Sequence, residues 1–210
     1  MKGTLIIARH HESEWNKLGL WTGLRDVHLT PYGFEKSEEM GRLLKDTRID
    51  CVYTSTLVRA EETLEAMLHA AGDTRVPIEH TAALNERDYG DYTGKNKWDI
   101  KKELGEETFD HIRRDWNYPI PNGETLKMVY ERVVPFYQGT IVPLLKEGKN
   151  VLVVAHGNSL RALTMYMESI PNERARDVET LFGAVVLYQV DEDGKMLSKE
   201  ARQVESNVNA

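Results

Sequence analysis

Five short apolar runs, at residues 4–8, 51–54, 76–79, 151–154 and 184–190, are separated by longer stretches in which apolar residues return every three or four positions. Short runs bounded by polar or turn-forming residues read as strands, and the wider spacing reads as helix. The alternation predicts an α/β fold: a three-layer sandwich in which a mostly parallel sheet, with room for antiparallel pairing, is covered by helices on both faces. Residues 1–210 read as a single domain, since a chain of this length holds one full core. No repeat or low-complexity tract interrupts it.

Thr30-Pro31 is a helix start, with threonine as cap and proline where a missing N–H costs nothing, and that helix is expected to reach about Lys45. Leu126, Val129, Val133, Tyr137, Ile141 and Leu144 predict a helix over 125–145 with one side on the sheet, kinked or locally opened by Pro135. A further helical pattern covers 108–116. The run Asn117-Tyr118-Pro119-Ile120-Pro121-Asn122-Gly123 is dense in turn formers and reads as the flexible connection in the middle of the chain.

Chemistry concentrates where two of the strands end. The first run stops in Arg9-His10-His11-Glu12-Ser13-Glu14-Trp15-Asn16, and the fourth in Ala155-His156-Gly157-Asn158-Ser159. Open α/β sheets gather ligands outside the carboxyl ends of their strands, so if these two strands are neighbours the imidazoles meet at one rim. Arg9 offers a fork of donors for phosphate oxygens, and a neutral His10 can act as a nitrogen nucleophile. Either histidine alone reads equally well as a hydrogen-bonded polar residue at a strand end; the repetition points to a shared site.

The formal charge of -7, without any Lys/Arg run, argues against nucleic-acid binding but leaves room for a focused cationic cleft that takes a small anion. The single cysteine, Cys51, cannot form an intramolecular disulfide and reads as a buried thiol. Met1-Lys2-Gly3 enters the first strand without the apolar core of a signal peptide, and no segment is long enough to cross a bilayer. A reduced, cytoplasmic compartment and no membrane partner are therefore expected. The histidines lack metal-ligand spacing and the acidic residues form no calcium loop, so no metal is expected.

Taken in order, Arg9-His10-x-Glu12-Ser13-Glu14-Trp15-Asn16, Thr22-Gly23, Tyr53-Thr54-Ser55 with Arg59-Ala60, Leu84-Asn85-Glu86-Arg87-Asp88-Tyr89-Gly90, Lys97, Arg113-Arg114 and Ala155-His156-Gly157-Asn158-Ser159-Leu160-Arg161-Ala162 resemble the histidine phosphatase superfamily, in its cofactor-dependent phosphoglycerate mutase branch. The resemblance implies that His10 attacks phosphate and becomes a transient phosphohistidine. Arg9, Arg59 and His156 would surround the phosphoryl group, with donors added by Asn16, Gly157 and Asn158. Glu86 would be the general acid and base, which requires its pKa to be raised by burial or by a dianionic ligand.

Thr22, Gly23, Tyr89, Lys97, Arg113 and Arg114 would hold the carboxylate end of the substrate. His11, Glu12, Ser13, Glu14, Trp15, Arg87 and Asp88 fall within the same substrate-binding blocks. The implied activity interconverts 3-phosphoglycerate and 2-phosphoglycerate, in glycolysis and gluconeogenesis, with 2,3-bisphosphoglycerate as the cofactor that primes His10. A phosphomonoesterase on the same scaffold is the rival reading, and a non-catalytic phosphate-binding protein a third. The implied partners are small phosphoglycerates and further copies of the chain, as a dimer or tetramer.

Four features depart from that family pattern. His11 stands where the family has glycine, Leu24 where it has tryptophan, and Phe182-Gly183-Ala184-Val185 where it has Thr-Gly-x-Pro. The fourth is the short connection at 117–123, which implies a reduced lid and weaker exclusion of water. The His11 ring is expected to point away from the phosphate.

Overall fold

The computed structural model describes residues 3–73 and 75–208, so Met1 and Lys2, and with them the reading of the extreme N-terminus, lie outside the described residues. In chain order the elements are β1 (Leu5–Arg9), α1 (Glu14–Lys17), α2 (Pro31–Arg42), β2 (Cys51–Thr54), α3 (Val58–Ala71), β3 (Ile78–His80), α4 (Lys97–Leu104), α5 (Glu106–Arg114), α6 (Leu126–Phe136), α7 (Val142–Lys146), β4 (Val151–Ala155), α8 (Gly157–Met167), β5 (Ala184–Val190) and β6 (Met196–Gln203). The strands form one six-stranded sheet in the order β3-β2-β4-β1-β5-β6. The β1/β4, β2/β4 and β2/β3 ladders are parallel, and those of β5 with β1 and β6 are antiparallel.

Because side chains alternate across a strand, the central strands feed two cores at once. Leu5, Ile7, Val151, Val153 and Ala155 pack under α6, α7 and α8, whereas Ile6, Ala8, Leu152 and Val154 pack under α2 and α3. The α3 and α8 helices, which follow β2 and β4, thus lie on opposite faces of the sheet. That arrangement opens a crevice at the carboxyl ends of the central strands.

Several boundaries differ from the sequence reading for local reasons. The helix that starts at Thr30 ends at Arg42 rather than near Lys45, because the chain tightens into i+3 bonds, Leu44 N–H to Gly41 O and Thr47 N–H to Leu44 O, both 2.9 Å, as Leu44 enters the core. The third strand starts at Ile78, after Pro77, whose nitrogen cannot donate to the ladder. The long helix of 125–145 opens between Pro135 and Pro143 into a π-turn, in which Val142 N–H reaches the Tyr137 carbonyl. Cys51, at the first position of β2, is half-buried rather than enclosed.

Residues 117–123 are packed rather than loose. Ile120 is buried, Gly123 N–H donates to its carbonyl at 3.0 Å, and Asp91 N–H donates to Pro121 O at 3.0 Å. The strand β6 had no apolar signal, because it is a polar edge whose residues are mostly exposed. Asp193-Gly194 does mark its hairpin: Gly194 has φ +74°, and the Asp191 carboxylate accepts the Asp193 and Lys195 N–H groups.

Candidate active site

Arg9 pairs with Ala155 across the parallel β1/β4 ladder, so the chain leaves both strands at one level and the two histidines follow side by side. The rings of His10 and His156 lie 4.9 Å apart between centroids, inclined at 55°. His10 Nδ1–H donates to the His11 carbonyl at 2.7 Å, which places the proton on Nδ1 and leaves the Nε2 lone pair free. Burial, and then the positive charges of Arg59 and Arg9, holds the His10 pKa well below the ordinary imidazole value, so the ring is neutral near pH 7.

His156 is held below its ordinary pKa mainly by burial, with help from Arg59 and His10. Ser55 Oγ accepts the Leu57 N–H at 3.2 Å and has its own hydrogen left for His156 Nε2, 2.7 Å away. The proton of His156 therefore sits on Nδ1, a buried atom without a protein partner.

An open cleft of about 780 Å³ lies outside these strand ends, large enough for a small bisphosphate. Six cations line it, Arg9, Arg59, Lys97, Arg113, Arg114 and Arg161, against two carboxylates, Glu86 and Glu179. On a chain of net charge -7 this is a local reversal of sign, which focuses an anion into the cleft. Arg59 is anchored by donating to the Arg25 carbonyl at 2.8 Å and the Gly23 carbonyl at 2.9 Å, and Arg9 by donating to the Thr180 carbonyl at 2.8 Å. Burial pulls both guanidinium pKa values down to about 10, and the Nε of each is buried without a partner.

The far wall stands on its own small core of Trp21, Tyr89, Ile100, Phe109, Ile112 and Ile120. Asn96 caps α4 by accepting from Trp98 N–H at 2.9 Å, which sets Lys97 at the first position of that helix and toward the cleft. Burial, then the nearby Arg113 and Arg9 charges, lowers the Lys97 pKa to about 8. Arg113 and Arg114 close α5, and their place in its last turn lets two sequence neighbours reach one cleft.

Glu86 is buried, which pushes its pKa up, yet the net direction is down. Its Oε1 accepts three N–H groups, from Arg87 N at 2.7 Å, Asn158 N at 3.1 Å and Asn158 Nδ2 at 3.0 Å, and the Arg59 and Arg9 charges add to them. Burial alone therefore does not bring this carboxyl toward neutrality, as the sequence reading allowed. A bound anion would have to do that. No hydrogen bond reaches Oε2 among the described residues, so the proton has that oxygen to go to.

Of the residues singled out from the sequence, Arg9, His10, Asn16, Thr22, Gly23, Arg59, Glu86, Tyr89, Lys97, Arg113, Arg114, Gly157 and Asn158 line the cleft. The remainder stand off its wall. His156 lies behind His10. The His11 ring turns inward, accepting Glu12 N–H on Nδ1 at 2.8 Å and packing on Tyr32 and Phe182. Glu12 accepts the Thr30 hydroxyl at 2.7 Å, Ser13 caps α1, and Glu14 donates its N–H to the His28 carbonyl at 3.0 Å.

Trp15 packs on Gly94, Arg87 is fully buried and donates to the Ile112 carbonyl, and Asp88 accepts the Gly90 N–H at 2.8 Å. These groups are committed to holding the loops in place, which corrects their reading as substrate contacts. The cleft also takes in Leu20, Trp21, Arg161, Glu179, Thr180 and Leu181, which the sequence reading passed over. Arg161 was findable: it lies three residues beyond Asn158 and so shares its face of α8. Nothing in the pattern marked 179–181.

The chain matches the model of the histidine phosphatase superfamily (branch 1) over residues 5–201. It is 42% identical to the 2,3-bisphosphoglycerate-dependent phosphoglycerate mutase of Parvibaculum lavamentivorans, covering 95% of this chain and 96% of that one. Among solved structures it is similar to Bacillus stearothermophilus YhfR, with TM-score 0.81 and 30% identity over 92% of this chain and 94% of that one. It is also similar to the alpha-ribazole phosphatase of Shigella flexneri, with TM-score 0.77 and 26% identity over 97% and 96%.

Proposed function

The chain belongs to the histidine phosphatase superfamily, and from that premise we propose that it is a 2,3-bisphosphoglycerate-dependent phosphoglycerate mutase, interconverting 3-phosphoglycerate and 2-phosphoglycerate. The observation that carries this reading is the second cationic wall, Lys97 with Arg113 and Arg114, which shares a cleft with His10 and Glu86. A phosphatase has only to hold a phosphoryl group. A mutase must also keep the rest of a small molecule in place while phosphate returns to its other hydroxyl.

The donor set fits a bisphosphate: Arg9 Nε and Arg59 Nε are buried cationic N–H groups with no protein acceptor. When bound, 2,3-bisphosphoglycerate supplies the phosphoryl group that loads His10 on Nε2. From the loaded state, the free hydroxyl of a monophosphoglycerate attacks phosphorus as the P–N bond breaks, and its proton passes to Glu86 Oε2. The low resting pKa of Glu86 suits that step, because the carboxylate is ready as a base. In the return half, His10 Nε2 attacks the other phosphorus, and the protonated Glu86 gives its proton to the departing oxygen. Arg9, Arg59 and the Nδ1–H of His156 are the donors for charge on the transferring group.

A phosphomonoesterase is the second reading, favoured by the likeness to the Shigella phosphatase. A coupled assay with 3-phosphoglycerate, with and without a trace of 2,3-bisphosphoglycerate, separates the two. Cofactor-stimulated formation of 2-phosphoglycerate is expected; release of inorganic phosphate without any 2-phosphoglycerate would leave the phosphatase.

A further inference from the structure

We infer that Arg161 is a positioning residue of this site: by fixing which end of the Asn158 amide faces Glu86, it sets the protonation state of the acid and base. Its side chain is held by three acceptors, with Nε donating to the Val178 carbonyl at 2.9 Å and Nη1 to the Arg113 carbonyl at 3.1 Å and Asn158 Oδ1 at 3.2 Å. A guanidinium has donors only, so it faces the oxygen of an amide and never the nitrogen. The Asn158 NH2 must then point the other way, where it donates to Glu86 Oε1 and to the Tyr89 hydroxyl, each at 3.0 Å. Were the amide to flip, Oδ1 would meet Oε1 at hydrogen-bond range, oxygen against oxygen. That would favour a protonated Glu86.

The same guanidinium ties the ends of the cleft to α8. One arm fixes the carbonyl of Arg113, on the far wall, and another that of Val178, which leads into the 179–181 segment. Other charges reach Glu86 from the neighbouring elements: Arg9 at the end of β1 and Arg59 on α3 act on its carboxylate, and Arg132 on α6 donates to its main-chain carbonyl at 3.0 Å. None of these bonds the Asn158 side chain. Orientation of the amide rests on Arg161 alone among the described residues.

The inference rests on the proposed proton transfer through Glu86, and the test keeps the two apart. Profiles of kcat against pH are measured for wild type, Glu86→Gln, Arg161→Met, Arg161→Lys, Asn158→Ala and the Asn158→Ala/Arg161→Met pair. Arg161→Met is expected to move the acid limb up by roughly one pH unit, with KM changing less than kcat. Arg161→Lys, which keeps the charge and a donor, is expected to shift it the same way by less, and carries the test if the methionine variant does not fold. In the Asn158→Ala background Arg161→Met is expected to add no further shift.

A loss of activity equal at every pH, or a full second shift without Asn158, would show Arg161 to be structural only. If instead the acid limb of wild type survives in Glu86→Gln, the proton-transfer reading itself fails, and this inference falls with it.

Discussion

The Arg9 guanidinium lies 3.7 Å from the centre of the Phe182 ring, and the His11 ring packs on the same phenyl group at 5.6 Å between centroids. Two positions that depart from the family pattern, His11 and Phe182, thus touch each other beneath the arginine next to the nucleophile. The phenyl face gives a buried cation an attractive surface without competing for its N–H groups, an interaction of up to about 2 kcal/mol when desolvated.

Phe182→Leu keeps the apolar volume and removes the π face. The expected result in steady-state kinetics is a fall in kcat/KM of about tenfold, about 1.4 kcal/mol of lost anchoring for Arg9, carried mainly by KM. An unchanged KM would show that Thr180 alone positions the guanidinium.

Lys97 titrates within the assay range. With its pKa lowered to about 8, chiefly by burial, the free enzyme loses this positive charge as the pH passes that value. A bound anion restores the proton, so kcat/KM is expected to fall above pH 8 while kcat stays flat. Lys97→Arg is expected to abolish the limb; a limb that remains in that variant belongs to another group.

Stability should also follow pH. His10, His11 and His156 all have folded pKa values below the ordinary 6.5, with burial the first cause, and His11 falls to about 4. The unfolded chain binds more protons than the native one below pH 6.5. The three rings therefore contribute stability that is fully present above pH 6.5 and is lost as the pH drops toward their folded values. The exposed His28–Glu62 pair works in the opposite sense but is screened by solvent. Calorimetry from pH 7 to 5 is expected to show a falling Tm, less steep in His11→Gln; equal slopes would mean that His11 finds a proton acceptor.

How far the site was legible depended on whether a residue's role was local. Arg9-His10 and His156-Gly157 could be placed because a strand end is a property of its own few residues. The meeting of their rings followed from a single further fact, the β1/β4 pairing. What could not be read was how the side chains are divided between cleft and scaffold. Arg87 and Arg113 look alike in sequence, yet one is spent on the Ile112 carbonyl and the other lines the cleft, because Phe109, Ile112 and Ile120 pack the far wall in one orientation. The polar edge strand β6 and the wall at 179–181 escaped because exposed positions carry no periodic signal.

Incubation with phosphoryl-labelled 2,3-bisphosphoglycerate tests the central claim most directly. One acid-labile phosphate per chain, on His10 and absent from His10→Ala, is the expected outcome. A wild-type chain that takes up no label, or a His10→Ala chain that keeps it, would contradict the assignment of His10 Nε2 as the nucleophile.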